Sequence, residues 1–274
     1  MSKFKIAILD MYNNAPNEGM RCIRQLLSRS EQENQVDFLI DTFNVRANNE
    51  VPGLDYDIYV SSGGPGSPLA SDEPWEPLYF GFIDALLAYN KKASQKKHLL
   101  LICHSFQLVS RHLGLGEVSK RKSTSFGVLP VHLTEEGQRD PVLEKLPEPF
   151  YAVDSRDYQL TDVQPARLAE LGIEVLCLEK ERPHIPLARA IMALRFSPEI
   201  IGTQFHPEAD GEGMLRYMLT DERKNQVIAA YGEDKYEEMV HLLASPDTIE
   251  VTESIIVPTF LQRALATLRE PALA

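Results

Sequence analysis

Nearly continuous apolar runs at residues 4–9, 58–61 and 98–103 constrain the architecture of this chain more than any other feature. A strand with one wet face alternates apolar and polar residues. A strand that is apolar throughout is covered on both faces, as in a parallel sheet. Segments of helical spacing lie between the runs: residues 18–27, with Met20, Ile23, Arg24 and Leu27 in step, and residues 75–89. A further strand is expected at residues 36–43 and a helix at 106–113. Strands alternating with helices predict an α/β fold, a three-layer sandwich with a mainly parallel central sheet.

Past residue 126 the texture changes. Residues 128–133, 150–153, 173–178, 188–195 and 200–205 are strand-like, with few helices between them, so this half is expected to be more antiparallel. Residues 1–218 are expected to form the α/β domain, and 219–274 a C-terminal helical extension. Thr220 is a candidate N-cap, followed by Asp221 and Glu222 in the first turn. Tyr236, Met239, Val240 and Leu243 share one helix face. Pro258 suits the opening turn of a final helix carrying Leu261, Leu265 and Leu268. These apolar faces need cover. Packing on the chain's own domain is favoured over a homodimer seam or a docked partner, because sequential elements tend to be neighbours.

The 274 residues carry 28 Lys plus Arg against 40 Asp plus Glu, a formal charge of −12. Phosphate backbones and anionic lipids repel such a surface, which argues against nucleic-acid and membrane partners. No apolar run has the length of a membrane span. The N-terminal MSKFKIAILD lacks the features of a secretion signal. Cys22, Cys103 and Cys177 are odd in number and show no CxxC spacing, so a reducing, cytoplasmic setting is expected.

Three segments carry chemistry. In Leu99-Leu100-Leu101-Ile102-Cys103-His104-Ser105-Phe106-Gln107, an apolar strand runs into a cysteine and a helix begins at once. That is the arrangement of a nucleophile elbow, which exposes the reactive group at the carboxyl end of the sheet. The helix N-terminus suits a thiolate. A buried core thiol is the plain alternative. In Ser61-Ser62-Gly63-Gly64-Pro65-Gly66-Ser67-Pro68, glycines let the backbone approach a ligand and aim N–H groups at an anion. A simple connecting loop explains the same residues, and the spacing is neither GxGxxG nor a P-loop. In Gly202-Thr203-Gln204-Phe205-His206-Pro207-Glu208, a strand ends in a histidine with a glutamate two residues on. A cysteine nucleophile needs a base, and the base needs an orienting partner. Cys103, His206 and Glu208 also suit zinc, but no second Cys or His pair stands at ligand spacing. No metal or cofactor is expected.

Taken in order, glycine loop, cysteine elbow and His-Pro-Glu, the sequence resembles the class I glutamine amidotransferase family. The resemblance is to its stand-alone, glutaminase-type, GMP synthase-like members, and it covers residues 4–215. GGPGSP is similar to the family's glycine-rich oxyanion loop, ICHSFQ to its G-x-C-x-G-x-Q elbow, and GTQFHPE to its His-x-Glu segment. The resemblance implies a flavodoxin-like fold, Cys103 as nucleophile, His206 as base and Glu208 as its orienting partner. It also implies an oxyanion hole from the backbone N–H groups of Gly64 and His104. Gly66, Gln107, Ser125, Phe126 and Ser155 are implied to hold the substrate. Leu101 and Ser105 stand where the family has glycine, and Arg156 where it has histidine. Arg156 is a candidate clamp for a substrate carboxylate, or a plain ion-pair partner.

The implied function is release of ammonia from the glutamine side chain through a Cys103 thioester. No synthetase segment is recognised, so the acceptor of ammonia is either a separate synthetase subunit or absent. Two alternatives remain: a stand-alone γ-glutamyl hydrolase or peptidase acting on a larger γ-glutamyl molecule, and a non-catalytic binding module. His98, His112, His132, His184 and His241, with Cys22 and Cys177, read as structural or exposed.

Overall fold

The structure, a computed structural model, describes residues 2–245 and 248–269. Nine strands form one sheet among the described residues: β1 (Lys3–Asp10), β2 (Asp37–Asn44), β3 (Ile58–Ser61), β4 (His98–Ile102), β5 (Glu117–Leu133), β6 (Phe150–Thr161), β7 (Glu174–Glu179), β8 (Ile191–Ser197) and β9 (Ile200–Thr203). Their spatial order is β2-β1-β3-β4-β9-β8-β7-β5-β6. The five strands from β2 to β9 pair in parallel, and the remaining pairs, β9–β8, β8–β7, β7–β5 and β5–β6, are antiparallel. The sheet is thus mixed: every antiparallel pair involves strands past the change of sequence texture, but β9, also past it, joins the parallel set.

The helices are α1 (Gly19–Asn34), α2 (Val45–Asn48), α3 (Trp75–Lys92), α4 (His104–His112), α5 (Glu135–Arg139), α6 (Pro165–Leu171), α7 (Gly211–Met218), α8 (Asp221–Tyr231), α9 (Glu233–Ala244) and α10 (Ile249–Arg269). They cover both faces of the sheet, which explains the continuous apolar runs. Ile6, Ile8, Val60, Leu100 and Ile102 face one side, with Ile23, Leu26 and Leu27 of α1. Ala7, Leu9, Tyr59, Leu99 and Leu101 face the other, with Tyr79, Phe82, Ile83 and Leu86 of α3. No described helix is long and apolar enough to cross a membrane.

Three expectations change. The strands expected at residues 128–133 and 150–153 are the inner parts of longer hairpin arms. Polar residues from Lys120 to Ser125 hide the outer part of β5, where the register to β6 shifts. Short helices α5 and α6 also escape the periodicity argument. Pro258 does not open the last helix: α10 starts at Ile249 and runs through it. An interior proline removes one helical hydrogen bond and costs about 3 kcal/mol. Burial of Ile256, Val257, Phe260, Leu261, Ala264, Leu265 and Leu268 against α1 and the strands outweighs that loss.

The C-terminal helices therefore find cover on their own chain. Tyr236, Met239 and Leu243 of α9 form a third cluster with Val128 of β5, Val153 of β6, and Ala209, Met218, Val227 and Ile249. Thr220 caps α8 as expected, its hydroxyl accepting from the Arg223 N–H.

Arg156 lies inside the sheet. Its Nε donates to both carboxylate oxygens of Asp154 at 3.0 and 2.9 Å, and its Nη2 lies 3.4 Å from Glu179 Oε1. Only 1% of its side chain is exposed. Arg121 and Arg182 also pair with Glu179. Burial alone would push the Glu179 carboxyl up, but Arg156, Arg121 and Arg182 hold it below its ordinary value.

Two stability measurements test this packing. Phe260→Ala is expected to lower the unfolding free energy by about 3–5 kcal/mol in chemical denaturation; a loss near zero would mean α10 is not part of the core. Arg156→Ala leaves Asp154 and Glu179 buried with one cation fewer, and is expected to destabilise by about 3–5 kcal/mol at neutral pH. A carboxylate with a depressed folded pKa contributes stability above its unfolded pKa, about 4.3 for Glu. That contribution is lost as pH falls through the folded value. The gap between wild type and Arg156→Ala should therefore narrow in acid, and a gap that widens below pH 4 would contradict the pairing.

Candidate active site

β4 delivers Cys103 to the carboxyl edge of the sheet, and α4 starts at the next residue. Cys103 holds φ +46° and ψ −97°, a region L residues rarely adopt. Hydrogen bonds pin it there: its N–H donates to the Thr203 carbonyl at 2.7 Å, and its carbonyl accepts from the Gln107 N–H at 3.1 Å. The strain of the sharp turn is thus held by β9 on one side and α4 on the other.

The glycine loop after β3 is tied down by serines. The Met11 N–H donates to Ser62 Oγ at 2.9 Å, and Ser62 Oγ donates to the Gly63 carbonyl at 2.9 Å. In a planar trans peptide the C=O and the next N–H point in opposite directions. Pinning the Gly63 carbonyl therefore sets the direction of the Gly64 N–H, which has no acceptor among the described residues; nor has the His104 N–H. Both glycines are needed. A Cβ at Gly63 would lie 2.7 Å from His206 Cε1, and one at Gly64 would collide with the Met11 carbonyl.

Ser105, the departure from glycine in the elbow, joins the two loops. Its hydroxyl donates to the Ser62 carbonyl at 2.6 Å and lies 2.7 Å from Ser61 Oγ, which lies 2.9 Å from Tyr79 Oη. Burial pushes the Tyr79 phenol up to about 12, so it remains a donor. The extra Cβ is accommodated, and its hydroxyl fastens the glycine loop to the elbow.

His206 follows β9, its N–H bonded to the Val153 carbonyl at 2.9 Å. Its Nδ1 lies 2.8 Å from Glu208 Oε1, and Glu208 is almost fully buried. Burial disfavours the imidazolium. The Glu208 carboxylate and the Cys103 sulfur outweigh this through charge and hydrogen bonds, and hold His206 well above its ordinary pKa.

Two residues at this centre were not anticipated. Gln204 Nε2 lies 3.6 Å from Cys103 Sγ, and its amide oxygen accepts from Gln107 Nε2 at 3.0 Å. Its place in the GTQFHPE string was the available signal. Tyr12 borders the same space; burial raises its phenol, and the charges of Glu208 and Cys103 raise it further. Nothing in the asparagine-rich loop marked it.

A cavity of about 570 Å³ opens on this centre. Cys103, His206, Glu208, Gly64, Phe126 and Ser155 all line it. The other expected residues do not. Gln107 turns to the Tyr158 carbonyl and Gln204. Ser125 Oγ donates to Asp154 at 2.8 Å. Gly66 stands outside, against Arg46. The His104 ring is buried, and burial, with Arg46 and Arg111, lowers it to about 3, leaving it neutral. Arg156 is not brought to the cavity, because Asp154 and Glu179 engage its guanidinium within the sheet. The far wall comes from the C-terminal helices: Met214, Tyr217 and Met218 of α7, Arg223 of α8, and Met239 and Leu243 of α9. Among the described residues, no group of three or more His, Cys, Asp or Glu side chains suits a metal ion.

Solved structures share this architecture. A glutamine amidotransferase from Thermotoga maritima is 14% identical with a TM-score of 0.66, over 96% of this chain and 98% of that one. A glutamine amido transferase from Methylobacillus flagellatus is 15% identical, TM-score 0.59, over 98% and 93%. The glutaminase domain of Trypanosoma brucei CTPS, with bound acivicin, is 12% identical, TM-score 0.55, over 98% and 96%. At such identities the likeness is one of fold. No curated protein matches the sequence. The family described as Glutamine amidotransferase class-I matches residues 20–225, most of the chain and every residue of the Cys103, His206 and Glu208 cluster. The chain belongs to the class I glutamine amidotransferase family.

Proposed function

We propose that this chain hydrolyses the side-chain amide of glutamine through a thioester on Cys103. The observation that carries the reading is the joint arrangement of His206, hydrogen-bonded to Glu208 and facing the same cavity as Cys103, beside the unengaged Gly64 N–H. Cys103 Sγ attacks the amide carbon, and its proton resides on His206. The tetrahedral oxyanion is met by the Gly64 and His104 N–H groups, each worth about 3 kcal/mol in the transition state. As the C–N bond breaks, His206 protonates the leaving nitrogen and ammonia departs. A water then attacks the thioester while His206 takes its proton; glutamate leaves and the thiol is restored. Glu208 orients the imidazole throughout. Ammonia so formed suits a synthetase subunit as acceptor. The three free thiols fit a cytoplasmic setting. In this reading, residues 1–218 carry the chemistry, and Arg223, Met239 and Leu243 of the C-terminal extension help close the cavity.

The apolar side of the cavity, with Met214, Met218, Met239 and Leu243, favours a second reading. There the same chemistry acts on a γ-glutamyl amide whose leaving amine carries an apolar group. Ammonia release from glutamine, set against amine release from γ-glutamyl amides, decides between the two.

On the better substrate, Cys103→Ala is expected to abolish turnover. His206→Ala should lower kcat by about 10²–10⁴-fold, and Glu208→Ala by less. Full activity in His206→Ala would place the base elsewhere. Iodoacetamide should alkylate Cys103 before Cys22, which burial raises to about 12, and before Cys177, which burial raises well above its ordinary value. Equal labelling of all three defeats the assignment. Ser62→Ala frees the Gly63 carbonyl and is expected to lower kcat by up to about 10²-fold with KM unchanged. A change confined to KM would show that Ser62 does not orient the oxyanion donor.

A further inference from the structure

We infer that Arg223, carried into the cavity by α8, is a substrate-recognition residue that binds the carboxylate of an amino-acid substrate. The inference rests on the thioester reading above and adds to it the group that selects the substrate's charge.

Arg223 lines the same cavity as Cys103 and His206. Its guanidinium carbon lies 4.7 Å over the Phe126 ring and 5.3 Å over the Tyr217 ring. Tyr231 stacks on Phe126 at 5.5 Å with 15° between planes. The Arg223 backbone is held by the Thr220 cap at 3.4 Å. Both ends of the side chain are thus fixed before any ligand arrives. An aromatic ring occupies a face of the guanidinium and leaves its edge, where the N–H donors lie, free for a carboxylate.

That edge is unsatisfied. Arg223 Nε is buried without a partner, and Nη1 reaches only the exposed amide of Gln226 at 3.2 Å. A buried donor with no acceptor is a standing loss that a ligand removes. The other charges around the cavity are already answered: Asp154 by Arg156 at 2.9 Å, Glu18 by Arg21 at 2.6 Å, and Glu208 by His206 at 2.8 Å. Among the described residues, no carboxylate pairs with Arg223. A substrate's carboxylate is the group this wall lacks.

Arg156, read from sequence as a carboxylate clamp or an ion-pair partner, is found in ion pairs away from the cavity. Arg156 has the right position along its strand, but its donors face Asp154 and Glu179. Arg223 comes from a segment with no motif, and reaches Phe126 only because α8 and α9 pack on β5.

The test uses the full chain as wild type, Arg223→Gln and Arg223→Lys. Each is exposed to two reagents that modify Cys103: 6-diazo-5-oxo-L-norleucine, a glutamine-shaped electrophile with an α-carboxylate, and iodoacetamide, which is small and neutral. Below saturation, Arg223→Gln is expected to slow modification by the first reagent about 10- to 100-fold, the worth of a charge-assisted hydrogen-bonded pair. Arg223→Lys should slow it less, because it keeps the charge and loses the fork. Iodoacetamide should modify Cys103 equally fast in all three. If Arg223→Gln reacts with the glutamine-shaped reagent as fast as wild type, Arg223 does not bind the carboxylate. If it slows both reagents alike, the residue only supports the cavity wall, and the inference is overturned. If iodoacetamide modifies wild-type Cys103 and the glutamine-shaped reagent does not, the thioester reading fails and this inference with it.

Discussion

The parallel pairing of β4 with β9 is the constraint on which the site depends. These two strands come from opposite halves of the chain, and the four strands between them in sequence all lie beyond β9 in the sheet. Their shared register brings Ile102 opposite Thr203, and the Cys103 N–H then bonds the Thr203 carbonyl. That hydrogen bond helps hold the strained cysteine in the elbow, and the same strand end leads on to Gln204, His206 and Glu208. A slip of that register would turn each side chain to the opposite face. The apolar residues covering both faces, Leu99 to Ile102 on β4 with Ile200 and Ile201 on β9, resist such a slip.

The serine contacts act within this frame. The glycine loop at the end of β3 has little side chain of its own to pack, and glycine is permissive of many conformations. Here its position is set by hydroxyls: Ser62 from within the loop, and Ser105 from the elbow. The substitution of serine for glycine in the elbow therefore reads as a brace between two loops that must stay in register with each other.

Much of this was legible in the sequence where one local rule sufficed. The double-sided burial of the central strands follows from runs such as Leu99-Leu100-Leu101-Ile102, and the elbow from the abrupt change of periodicity at Cys103. The cap at Thr220 follows from its hydroxyl and the acids after it. Where the outcome depended on a neighbour distant in sequence, local rules gave no answer. Lys120 to Ser125 look like a polar loop, yet part of that segment pairs with β6. Pro258 looks like a helix start, but the core under α10 overrides it. Arg156 sits beside expected pocket residues in sequence. Glu179, which lies on β7, helps decide where its guanidinium turns, and no local pattern links the two.

The last helix has a consequence for how the molecule is assembled. α10 follows all nine strands in the chain, yet it packs against α1, and its Phe260 lies beside His98 at the start of β4. The surfaces of α1 and β6 that α10 covers therefore stay open until α10 itself has been made. Contacts spanning most of a chain close slowly, because the entropy of the intervening segment must be given up first. During synthesis, Ile6, Ile8, Val60 and Leu100 can meet α1 early, while the packing of α10 on α1 and β6 comes only later. Chaperone binding and aggregation would compete for the surfaces that α10 covers, and their burial waits for α10 rather than for formation of the reactive centre.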